Sequence, residues 1–220
     1  DEQMAAQMLA SINALYSLPQ AEELYASAQA TQEAIDVVAS VGYENYTPQN
    51  GATYPEDDFA LALRQTAALI RAHVGLEAAC IDLGGWDTHV NQGTDEGAQP
   101  GLMAQLAGGL AAFYQDMGAD MARVTVVVMS EFGRRVGENA NRGTDHGHGG
   151  AMLVMNSDLN AAPVVADWPT LAPDALDRGE DLAITTDYRD VLSAVIAQRL
   201  HNTALSEIFP NYTAQSLPLW

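Results

Sequence analysis

Three of the five histidines stand beside carboxylates in two glycine-rich loops, and these loops are where the chain can do chemistry. The first is Gly84-Gly85-Trp86-Asp87-Thr88-His89 and the second is Gly143-Thr144-Asp145-His146-Gly147-His148-Gly149-Gly150. Asp87 and His89 are separated by one residue, as are His146 and His148. In an extended backbone, residues i and i+2 point to one side, so each pair offers two ligands toward one point. Imidazole with carboxylate is the ligand set for zinc, manganese or iron. Asp145 either joins as a ligand where the loop turns or orients a histidine from behind. A glycine-rich loop with one histidine is ordinarily just a loop. Two such clusters, each after an expected strand, point toward a metal or anion site.

Ser130-Glu131-Phe132-Gly133-Arg134-Arg135 follows the clearest strand pattern in the chain. Glu131 is expected at the sheet's carboxyl edge, as a ligand or general base. Arg134 and Arg135 are adjacent bases in a base-poor chain, and arginine grips phosphate, sulfate or carboxylate bidentately. The plain alternative is that Glu131 pairs with a neighbouring arginine and is structural. Thr185-Thr186-Asp187-Tyr188-Arg189 reads most simply as a helix N-cap with Arg189 in the first turn. His73 and His201 fall near expected helix ends, where capping or dipole roles are favoured. Trp86 reads as packing, although an aromatic beside ligands can wall a pocket. Asn45-Tyr46-Thr47 and Asn211-Tyr212-Thr213 match the glycosylation triplet, which is common by chance.

The elements that must position these loops follow from periodicity. Residues 1–41 read as helical, with Met4, Met8, Leu9, Ile12, Leu15 and Tyr16 on one face. Pro19 begins a second segment carrying Leu24 and Tyr25, and Thr31 is expected to cap a third with Ile35, Val37 and Val38. Residues 42–55 read as a loop. Asp57 and Asp58 open a helix carrying Phe59, Leu63, Ala67 and Ile70, with Gly75 expected as its C-cap. Residues 78–83 read as a buried strand ending at Gly84-Gly85. A polar loop to Gly101 precedes a helix with Leu102, Leu106, Leu110, Phe113 and Met117, closed near Gly118. Residues 124–129 and 152–155 give two further strands. Residues 156–183, with Pro163, Pro169 and Pro173, read as irregular. Asp187 caps a last helix, and the tail from Phe209 reads as extended over the surface. The fold class is α/β, with strands under helices and ligands outside the strands' carboxyl ends. Three strands are few for this length, so part of a larger sheet is expected.

Composition narrows the partners. The 220 residues hold 29 acids against 9 bases, all arginine, for a formal charge of −20. That is a poor match to nucleic acid or an anionic membrane surface. The 48% hydrophobic content suits a buried core and not disorder. No apolar run reaches the roughly 20 residues of a membrane span. The single cysteine, Cys80, excludes an intrachain disulfide framework and a cysteine-based metal site.

GGWDTH at Gly84–His89, SEFGR at Ser130–Arg134, GTDHGHGG at Gly143–Gly150 and TDYR at Thr186–Arg189, in this order, resemble the DUF1501 family. These are bacterial proteins of undefined function placed in the alkaline phosphatase/sulfatase superfamily. The resemblance covers about residues 54–210, and residues 1–41 match loosely. It implies an alkaline phosphatase/sulfatase-like sheet flanked by helices, incomplete in this chain. Residues 1–220 would be the carboxyl-terminal part of one such domain, with 1–55 a helical lead-in and loop and 56–220 the α/β part. Superfamily members hydrolyse or transfer phosphate and sulfate esters with one or two metals held by Asp and His. The strand into Ser130-Glu131-Phe132-Gly133 resembles one that in active relatives ends in a Ser-Asp-His-Gly motif. One ligand is thus changed to Glu131 and the other lost at Phe132, which counts against ordinary two-metal phosphatase chemistry.

What the resemblance implies is an exported protein, periplasmic or extracellular, acting as a metal-dependent hydrolase of phosphate or sulfate esters. Asp87, His89, His146 and His148 hold the divalent metal (zinc, manganese or calcium), with Asp145 as ligand or behind one. Glu131 is ligand or base and Arg134 steadies the anion. The partner is a missing amino-terminal segment on a separate chain, or further copies of this chain. The other reading is a non-catalytic structural or binding protein that keeps the scaffold.

Overall fold

The fold is that of a computed structural model, which describes residues 2–16, 22–160, 162 and 164–220. The expectations at Pro19 and Pro163 lie outside the described residues. Helices carry far more of the chain than strands do, and the strands form two small, separate sheets. The chain divides into two compact units. One comprises residues 1–47 and 64–79, the other 48–63 and 80–220.

The first unit contains helix α1, Glu2–Tyr16, and helix α2, Glu22–Ser40, which lie against each other. Helix α2 runs straight through the residue expected to start a new helix. Thr31 does not cap. Its hydroxyl donates 2.8 Å back to the Ser27 carbonyl one turn earlier, a bond that lets a β-branched hydroxyl residue sit inside a helix. Met4 and Met8, on the predicted apolar stripe of α1, are exposed. Helix α3, Asp58–Arg71, starts as expected, with the Asp57 carboxylate accepting from Ala60 N at 2.9 Å. It ends four residues before Gly75, because His73 takes the left-handed conformation (φ 53°) first.

The second unit holds the site. Helix α4, Ala98–Met117, begins four residues earlier than the polar loop suggested, with Pro100 tolerated in its first turn. Gly118 closes it, as expected. The buried side chains Leu106, Phe113 and Met117 form its core face, Met121 in the turn Gly118–Arg123 is buried just beyond it, and Phe59 and Leu63 approach it at Gly109. Burying Phe113 alone is worth about 1.5–3 kcal/mol. Asp116, also buried, ties the loop before α3 to α4 by accepting from Gln49 N (2.7 Å) and Tyr54 Oη (2.8 Å).

The strands differ from expectation. Residues 78–83 form no strand and residues 78–80 are exposed, Cys80 included. An apolar run becomes a strand only where a neighbour takes its backbone hydrogen bonds, and none among the described residues pairs with it. Strands β1, Val126–Val128, and β4, Leu153–Met155, lie inside the two predicted runs and pair antiparallel, Val127 opposite Val154. Between them β2, Gly133–Arg134, and β3, His146–Gly147, form a second antiparallel pair. Asn156 anchors the end of β4 by donating to the carbonyls of Met121 (2.7 Å) and Val124 (2.6 Å).

Helix α5, Tyr188–Arg199, is capped by Asp187, whose carboxylate accepts from Arg189 N at 2.9 Å. Arg189 also grips Asp187 with Nε (2.9 Å) and Nη2 (2.7 Å), and its guanidinium lies 3.7 Å from the Tyr212 ring centroid. That fork holds the Asp187 carboxyl below the usual carboxylate range. Burial, then the bond to Asp190, pushes the Tyr212 hydroxyl up to about 12. A short helix α6, Leu205–Ile208, follows unannounced, and the tail is pinned at Tyr212 Oη to Asp190 (2.7 Å) and by buried Leu219. The TDYR motif is a structural clip. Among the described residues no helix is long and apolar enough to cross a membrane.

Candidate metal centre

The β2–β3 pairing sets Arg134 opposite His146, so the SEFGR and GTDHGHGG segments meet edge to edge. The contact is tight: a Cβ on Gly147 would stand 2.6 Å from the Arg134 carbonyl carbon. The GGWDTH loop joins from the other side. A side chain on Gly143 would overlap the His89 backbone, so only glycine lets the two loops come this close.

Asp87 and His89 reach one spot by a route the sequence did not suggest. The backbone is not extended there but makes two successive three-residue turns, Thr88 N to Trp86 O (2.9 Å) and His89 N to Asp87 O (3.1 Å). Asp87 Oδ1 lies 2.8 Å from His146 Nε2 and 3.0 Å from His89 Nε2, and the two imidazole nitrogens are 3.0 Å apart. Three ligand atoms on two loops thus converge. Tetrahedral coordination with bonds of about 2.0 Å spaces ligand atoms by about 3.3 Å, so this triangle is a few tenths of an ångström inside the spacing zinc needs.

The surroundings fix each member. Asp145 Oδ1 sits 3.0 Å from His89 Nδ1. A carboxylate is an acceptor, so in the neutral ring Nδ1 carries the proton and Nε2 turns its lone pair toward Asp87 and His146. Asn139 Nδ2 donates to Asp145 (2.9 Å) and to the His89 carbonyl (3.0 Å). The Asn139 and then the His89 bond hold the Asp145 carboxyl below its ordinary value. The His146 and then the Arg134 bond do the same for Asp87. The Phe132 ring stacks on His146 with centroids 3.9 Å apart. The centre opens to solvent, since the Asp87 side chain is 65% exposed and that of His146 49%.

A family model described as "Protein of unknown function (DUF1501)" matches residues 1–197. The chain belongs to the DUF1501 family. The match includes the helical lead-in, which the motifs alone left loosely attached. No curated protein and no solved structure matches the chain.

In this DUF1501 chain the seven residues singled out from sequence do not form one centre. Asp87, His89 and His146 converge, with Asp145 behind His89. His148 turns elsewhere, because strand β3 ends at Gly147. Its Nδ1 lies 2.7 Å from Asp177. Arg134 has its donors on the protein itself: Nη1 to Thr144 O (2.7 Å), Nη2 to Trp86 O (2.7 Å) and to Asp87 (2.8 Å). It clamps the two loops. Arg135 pairs with Glu180 at 3.1 Å, so neither arginine meets Glu131. Glu131 is exposed, beside the Ser130 hydroxyl at 3.5 Å, and is not among the converging atoms.

Sequence reasoning missed Asn139 and the Asp177–Asp181 turn. Asn139 also accepts from Asn141 N (2.9 Å) and Gly143 N (3.1 Å), the side-chain turn that the first asparagine of Asn-Ala-Asn-Arg-Gly favours. The run Asp177-Arg178-Gly179-Glu180-Asp181 carried a signal in its charge density within a base-poor chain.

Proposed function

We propose that this DUF1501 chain binds a divalent transition metal through Asp87, His89 and His146 and uses it in hydrolysis of an anionic phosphate or sulfate ester. The observation that carries the reading is the convergence of the three ligand atoms, with the second nitrogen of His89 held by Asp145. Two imidazoles with one carboxylate favour zinc or manganese over calcium, which takes oxygen ligands. A metal held there supplies Lewis-acid polarisation of a phosphoryl or sulfuryl oxygen. The chain's own residues do the rest. Asp145 orients His89, Arg134 holds Asp87 in place, and Phe132 packs the back of His146. Glu131, next in sequence to that ring and exposed, is the carboxylate available as general base. The order of the four motifs supports an alkaline phosphatase/sulfatase-like scaffold and an exported protein. The two-stranded sheet, only half-buried at β1, supports completion by another segment or copy.

A second reading, a non-catalytic binding protein on the same scaffold, is favoured by Arg134. Its guanidinium is bonded to protein oxygens instead of facing solvent as an anion grip. The −20 charge also repels anionic substrates at low salt. Metal analysis of the purified chain, with 4-nitrophenyl phosphate and sulfate turnover, separates them. The hydrolase reading expects metal at this centre and turnover, with one ion and the turnover lost in His89→Ala and in His146→Ala. Metal bound without turnover leaves the binding protein, and absence of metal refutes the proposal.

A further inference from the structure

Outside that centre, one other group of side chains converges among the described residues: His148, Asp177 and Asp181, each offering a ligand atom within 4.8 Å of the others. Backbone geometry builds it. Asp177 and Asp181 face each other across a tight turn, Asp177 N to Asp181 O (2.9 Å) and Asp181 N to Asp177 O (3.1 Å). His148 is brought against this turn because Gly149 has no side chain; a Cβ there would stand 2.5 Å from the Leu182 carbonyl oxygen.

The Asp181 side chain is 4% exposed, yet its Oδ1 has no hydrogen-bond partner. A buried carboxylate oxygen without a partner is costly unless a cation meets it. The one cation now present is Arg178, whose Nη2 lies 2.8 Å from Asp181 Oδ2 and 2.6 Å from His148 Nε2. The 2.7 Å contact between His148 Nδ1 and the acceptor Asp177 Oδ2 puts the ring proton on Nδ1. The same Nη2 is 3.2 Å from His148 Nδ1, so the guanidinium lies against the ring face and off the axis of the Nε2 lone pair. The Arg178 side chain is itself 62% exposed.

We propose that His148, Asp177 and Asp181 form a second divalent-cation site, and that Arg178 is its resident counter-cation, displaced when metal enters. One imidazole with two carboxylates suits zinc or manganese. With the imidazole neutral, two carboxylates and one guanidinium leave a net charge of −1, which a divalent ion replacing the arginine raises to zero. This goes beyond the Asp87 centre and does not depend on it, since no ligand is shared.

The test is zinc stoichiometry and affinity of the purified full chain by isothermal titration, with circular dichroism to confirm folding. Wild type is expected to bind two zinc ions, and His148→Ala, Asp177→Asn and Asp87→Asn one each. Arg178→Gln removes the competing cation and is expected to tighten the second site by about 2–5-fold, the worth of an ion pair with one solvent-exposed partner. Unchanged stoichiometry in folded His148→Ala or Asp177→Asn overturns the site, and unchanged affinity in Arg178→Gln overturns the exchange. One ion lost in Asp87→Asn but kept in His148→Ala leaves only the first centre. One ion lost in His148→Ala but kept in Asp87→Asn leaves only this one.

Discussion

Replacing Asp145 by Asn separates a residue that orients a ligand from one that is a ligand. Asp145 uses a single oxygen, Oδ1, for both of its partners, Asn139 Nδ2 at 2.9 Å and His89 Nδ1 at 3.0 Å. An asparagine keeps an oxygen there, so both contacts survive and the fold should be undisturbed. What disappears is the charge that makes His89 Nε2 more basic and holds its proton on Nδ1. Loss of such a partner costs about 10–100-fold in metal affinity. Asp87→Asn instead weakens one of three converging ligand atoms and should cost more than that. The assay is competitive zinc titration against a chelating dye at fixed pH and salt. Thermal melts serve as the control on folding, and the His148→Ala background isolates the first centre. Affinity equal to wild type in Asp145→Asn would show that the carboxylate does not set His89. A loss as large as in Asp87→Asn would show that Asp145 binds the metal directly. Either result refutes the reasoning.

Zinc affinity should fall on acidification because protonated imidazole cannot ligate. Asp87 and Asp145, held below the usual carboxylate range, stay ionised above about pH 5, so any affinity lost above that pH should not come from protonation of these two carboxylates. The lowered Asp187 carboxyl adds stability that is present above about pH 4 and lost as pH falls through its folded value. Asp187→Ala should cost about 1–2 kcal/mol at pH 7 in urea unfolding, from cap and fork together, and less at pH 2. Gly109→Ala gains about 1 kcal/mol of helix propensity but would place Cβ 2.8 Å from the buried Phe59 ring. Overpacking of about 1–3 kcal/mol should win, and a higher melting temperature would contradict the packing described.

Most helices could be read in the sequence because their signals are local. Asp57, Asp187 and Gly118 end or begin helices by side-chain or backbone chemistry that needs no distant partner. Thr31 misled for the same reason: a capping residue type is also one that can bond back into its own helix. Residues 78–83 misled because a strand is a statement about a neighbour, which no window of sequence contains. The extended-chain argument for His146 and His148 failed for a local reason, since β3 lasts two residues and the chain bends at His148.

By itself the sequence determined the chemical inventory: imidazoles and carboxylates in glycine-rich loops, few cations, and one helix after another. It also determined family membership, through motifs in order. Tertiary structure decided which of those groups meet. Residues 87 and 146 come within 2.8 Å across 59 positions of chain only because β2 pairs with β3 and glycines remove the side chains that would hold the loops apart. It also divided the two histidines of one motif between two clusters, and supplied Asp177 and Asp181 from a turn with no ligand pattern of its own. Ligand spacing is a through-space quantity, and local sequence specifies it only where the backbone between the ligands is regular.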